Sequence, residues 1–134
     1  MLNLKLRDEF LGSQMPGTAI ALRRKDNTGA AQRTPDFILS ITYPTADVQT
    51  ALRAVSTNRP KRPIVLMGER GRGKSHIMAV MHHAVESSGR VQKWANDWGG
   101  PLASQSLSEL ALGGGFVAIS EPVHNHEYPL LGWG

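Results

Sequence analysis

Apolar residues recur along this chain with a helical period in some stretches and in unbroken short runs in others. Val48, Leu52 and Val55 fall at i, i+4 and i+7, and Ile77, Val80, Met81, Ala84 and Val85 share one face of a 3.6-residue repeat. Both stretches predict amphipathic helices. The first starts after Pro44 with Thr45 as N-cap and runs to about residue 57; the second spans 73–88, with Gly89 just past its end. The same reading places a short helix over 91–98, stopped by Gly99-Gly100-Pro101, and another over 102–112 with Leu107, Leu110 and Ala111 inward. By contrast, residues 64–67 (Ile-Val-Leu-Met) and 116–120 (Phe-Val-Ala-Ile-Ser) are apolar runs without alternation. That pattern predicts strands covered on both faces, as in a parallel sheet. Residues 37–43 are β-branched and aromatic enough for a further strand, and 18–22 suit another. Leu2, Leu6 and Phe10 fit a short helix, while Leu2, Leu4 and Leu6 equally fit a strand.

Polar stretches divide these elements. Arg23-Arg24-Lys25-Asp26-Asn27-Thr28-Gly29 and the residues on to Pro35 read as a solvated flexible loop, and Asn58-Arg59-Pro60-Lys61-Arg62-Pro63 is a turn cluster ahead of the 64–67 run. Residues 1–36 therefore read as an N-terminal extension and 37–134 as one α/β unit. A chain of 134 residues is long enough to bury a core of its own.

Charge alters this picture by its distribution. Residues 1–75 hold thirteen Lys and Arg against six Asp and Glu, whereas 76–134 hold two against five, for a total of +4. The positive field is concentrated before and within one short motif. The absence of cysteine excludes disulfides, thiolate metal sites and cysteine nucleophiles. No apolar run is long enough to span a bilayer, and residues 1–10 carry no apolar stretch of the signal-peptide kind. The expectation is a cytoplasmic protein without a membrane partner.

The motif is Gly68-Glu69-Arg70-Gly71-Arg72-Gly73-Lys74-Ser75, followed by His76. It fits G-x-x-x-x-G-K-[ST] at every required position, a match that arises by chance in roughly one chain of this length in two hundred. Glycines let successive backbone N–H groups turn inward around a polyphosphate, and a helix beginning near Gly73 adds unpaired N–H groups and the positive end of its dipole. Lys74 would reach the β and γ phosphates, and the Ser75 hydroxyl would join the shell of a Mg²⁺ ion bridging them. Arg70 and Arg72 occupy variable positions, where they either touch phosphate or point to solvent.

Read with its surroundings, this segment resembles the start of an AAA-type P-loop ATPase, in which a helix often precedes the strand carrying the loop. The order Ile41-Thr42-Tyr43-Pro44-Thr45, the 48–55 helix, and the run from Arg62 to His76 follows that arrangement. More narrowly, Lys5-Leu6-Arg7-Asp8-Glu9-Phe10, His82-His83 and Ile119-Ser120-Glu121-Pro122-Val123-His124 are similar to the N-terminal part of large bacterial ATPases associated with phage-defence systems. The resemblance implies a truncated three-layer α/β/α sandwich with a mainly parallel sheet. It also implies ATP and Mg²⁺ as ligands, further domains or an oligomer as partners, and nucleic acid as a partner of the full system. Such ATPases need a second acidic site after an apolar strand. Glu121 comes nearest, but it follows Ser120 rather than the apolar run and has no adjoining carboxylate. Hydrolysis by this chain alone is therefore not expected.

Two other readings remain. A small P-loop phosphotransferase would place Glu121 or His124 against an acceptor, and a fragment without nucleotide binding would associate through Trp side chains and sheet edges. Adjacent His82 and His83 diverge by about 100° on a helix and do not chelate one ion. His124-Asn125-His126 has no third ligand, and Trp94 and Trp98 at i, i+4 read as core or partner contacts.

Overall fold

A computed structural model describes residues 29–58, 60, 62–102, 107, 109–113 and 116–119. A 3-10 turn at Ala30–Gln32 is followed by four helices: α1 Pro35–Ser40, α2 Ala46–Val55, α3 Lys74–Glu86 and α4 Ser88–Leu102. No strand forms among the described residues, which overturns the expected α/β sandwich with a parallel sheet. The described part is helical.

The expected strand over 37–43 is where local capping chemistry prevails over side-chain shape. Thr34 accepts a hydrogen bond from the Phe37 N–H at 3.3 Å, Pro35 takes the first helical position, and Asp36 sits in the first turn. Together these satisfy an orphan donor, tolerate the missing proline N–H and place a carboxylate at the positive dipole end. The helix closes on Ser40 Oγ donating to the Phe37 carbonyl at 2.8 Å and Thr42 Oγ1 donating to the Ile38 carbonyl at 2.6 Å. Helix α2 matches its sequence signature closely. Thr45 Oγ1 accepts from the Val48 N–H at 3.4 Å, and Val48, Ala51 and Leu52 are buried.

Helix α3 packs against α1, α2, α4 and the 3-10 turn. Its buried residues are Ala79, Val80, His83 and Ala84, whereas Ile77, Met81 and Val85 of the expected face are only partly covered. The face is rotated because neighbours surround α3 on several sides. Ser87 alone separates it from α4, so Gly89 lies inside the next helix instead of ending this one. Helix α4 also runs through Gly99, Gly100 and Pro101 and ends one residue later. The expected helix over 102–112 is not continued at 110–113, and parts of it lie outside the described residues.

Ile38, Leu39, Val48, Leu52, Val80, Ala84, Val91, Ala95, Leu107 and Leu110 form the core, with Trp94 and Trp98 packed against it. The end of α2 fastens the chain beyond α4. Thr57 N–H donates to the Ala111 carbonyl at 2.7 Å, Ala111 N–H donates to Ser56 Oγ at 3.0 Å, and Asn58 Nδ2 donates to the Glu109 carbonyl at 3.1 Å.

The two runs expected as buried strands stand outside this core. Val65 is 77% exposed and Val117 82%, with Met67 and Ile119 exposed to a similar degree. A buried parallel strand needs bonded neighbours and covered faces. Residues 64–67 and 116–119 are not in strands, most of their apolar side chains are exposed, and the Ala118 N–H donates to the Glu86 carboxylate at 2.6 Å, a helix side chain and not a neighbouring strand. The segments expected at 2–10 and 18–22 lie outside the described residues.

Candidate functional site

Residues 62–73 lead into α3 and carry the glycine-rich loop. Gly68, Gly71 and Gly73 have φ of 152°, 77° and 82°. An L side chain is strained in that region, and glycine is not. A Cβ at Gly71 or Gly73 would meet nothing within 4 Å, so backbone conformation and not crowding requires glycine there. Gly73 is the N-cap of α3, and its carbonyl accepts the Ile77 N–H at 3.0 Å. The N–H groups of Lys74, Ser75 and His76 open the helix, where no carbonyl lies one turn before them.

Lys74 lies back across the loop. Its Nζ donates to the Gly68 carbonyl at 2.6 Å and the Glu69 carbonyl at 2.5 Å. The ammonium thus holds the loop curled while remaining at its mouth. Arg72 turns to solvent and pairs with the Glu69 carboxylate at 3.4 Å, both groups being exposed. Arg70 instead lines the cavity beside the loop. Of the two arginines, Arg70 is the one positioned to meet an anion in that cavity.

That cavity, about 650 Å³, has two kinds of wall. One consists of Arg70, Gly71, Gly73, Lys74, Ser75 and His76; the other of Ala30, Arg33, Phe37, Ile38 and Ile41. The size lies within the range of small-molecule sites. Thr42, next to Ile41 of the apolar wall, ties that side to the loop: its Oγ1 lies 2.8 Å from His76 Nε2. The single Thr42 hydroxyl proton goes to the Ile38 carbonyl, so His76 Nε2–H is the donor. Burial lowers the His76 pKa, favouring this neutral form.

The half-buried Ser75 can supply one hydroxyl oxygen to Mg²⁺. No group of three or more His, Cys, Asp or Glu among the described residues could hold a metal ion. Glu121, His124 and His126 lie outside the described residues. His83 is buried and His82 partly buried, their ring centroids 5.3 Å apart and planes at 78°.

The apolar wall was not legible as part of a site. The Thr34-Pro35-Asp36 helix-start signature could have located α1, but nothing local announces that α1 faces the loop. A second cleft of about 800 Å³ lies between α1 and α4, where Tyr43 meets Trp98 edge to face and Arg90 pairs with Asp36. No described helix is long and apolar enough to cross a membrane. No protein-family model, curated protein or solved structure matches the chain.

Proposed function

We propose that this chain binds a nucleoside triphosphate, ATP with Mg²⁺, through Gly68, Glu69, Arg70, Gly71, Arg72, Gly73, Lys74, Ser75 and His76. The observation that carries the reading is the loop itself: three glycines at positive φ, an ammonium folded over the loop carbonyls, and a helix opening at the last glycine. Glycine-rich backbone, the start of α3 with its dipole and the Lys74 ammonium then line one cavity, and together these are the donor types a polyphosphate requires. Lys74 would exchange its two carbonyl partners for phosphate oxygens, and Ser75 would contribute to the shell of the accompanying cation.

The reading is one of binding. The cavity's described lining includes no carboxylate to orient an attacking water, and hydrolysis is assigned to a larger AAA-type assembly. Fold class does not decide the matter, because the site and not the architecture carries the chemistry. Lys74→Ala should abolish binding of a fluorescent ATP analogue, and excess Mg-ATP should raise the Tm of the wild-type chain but not of the variant. Unchanged analogue affinity in Lys74→Ala would overturn the proposal.

A further inference from the structure

We infer that the apolar wall facing the glycine-rich loop is the receptor for the nucleobase, with Phe37 as its stacking platform and Arg33 as a movable cover. This rests on the reading of residues 68–75 as a polyphosphate site. The cavity is polar along the loop and lined by Ala30, Phe37, Ile38 and Ile41 on the opposite side. A nucleotide has the same division, with charge at one end and a flat π surface at the other.

Phe37 is part-buried on α1, packs against the core and also lines the cavity, so its ring is held in place at the cavity wall. The Arg33 guanidinium sits 5.6 Å from the ring centroid. A base inserted between two planar groups needs roughly twice an aromatic contact distance, or about 7 Å. Arg33 is exposed and can withdraw by that margin, closing on the outer face of the base as it does on the ring.

The wall is also fixed relative to the loop. Thr42 closes α1 through the Ile38 carbonyl and receives the His76 Nε2–H, and His76 directly follows Ser75 in the first turn of α3. A ligand spanning base platform and phosphate loop therefore meets a preformed separation. Inorganic tripolyphosphate, which has no base, uses the loop alone.

The test compares Mg-ATP and magnesium tripolyphosphate by calorimetry on the 134-residue chain, its Phe37→Ala variant and its Phe37→Tyr variant. Base stacking on an aromatic side chain predicts that Phe37→Ala weakens Mg-ATP about tenfold, leaves tripolyphosphate unchanged, and is rescued by Phe37→Tyr. Should Phe37→Ala unfold, Arg33→Ala on the exposed cover should weaken Mg-ATP selectively by a smaller factor. Equal losses for both ligands, or an unchanged ATP-to-tripolyphosphate ratio in every variant, would overturn the base platform while leaving the phosphate loop standing. If the wild-type chain binds neither ligand, the phosphate-loop reading falls, and the base platform with it.

Discussion

His83 illustrates how one residue's role depends on what surrounds it. In sequence it is half of an adjacent pair on a helix, but in the fold it is 4% exposed, and its Nε2 has no hydrogen-bond partner among the described residues. Desolvation lowers its pKa first and the nearby His82 adds to that, while a backbone hydrogen bond at Ala30 and the charge of Glu86 oppose them. A lowered folded-state pKa means that the unfolded chain takes up the proton more readily. The associated stability is complete above the ordinary imidazole value, about 6.5, and declines as pH falls through the folded-state value. The urea midpoint should therefore drop between about pH 7.5 and about pH 5.5. His83→Leu should shrink that drop without removing it, since His76 shifts in the same direction. An identical drop in the variant would rule out His83 as a source. The loop residues were more legible than His83, because glycine at positive φ and lysine at a helix start are local requirements.

At the scale of elements, caps were more reliable than side-chain shape. Thr45 was readable as an N-cap, and α2 begins there. Thr45→Ala should cost about 1 kcal/mol, measured by urea denaturation, with α2 fraying at its first turn. Thr34, Pro35 and Asp36 formed an equally good start signal, yet the β-branched and aromatic residues after them favoured a strand by composition alone. Strand preference largely reflects how a residue packs on a sheet, so it has little force where no sheet is formed. The end of α4 departs in the other direction. Gly99, Gly100 and Pro101 mark a stop in sequence, but Trp98 is anchored on Tyr43 and the core, and the helix persists to Leu102.

For the whole molecule, the decisive matter is which apolar residues find one another. The core is built by helices around α3, while residues 64–67 and 116–119 remain largely exposed. Val65→Lys combined with Val117→Lys should therefore change stability by no more than about 0.5 kcal/mol per site. Burial of those positions in a sheet would instead make each lysine cost several kcal/mol. Urea denaturation followed by far-UV circular dichroism separates these outcomes. Sequence alone determined the positions of α2 and α3, the cap at Thr45 and the loop leading to Lys74, because each depends on contacts within a few residues. Tertiary structure alone decided that α1 faces the loop across a cavity, that His83 is interior, and that the two apolar runs lie outside the core. Burial and strand pairing are set by partners distant in the chain, and a local hydrophobic pattern states that a partner is wanted without specifying that one is present.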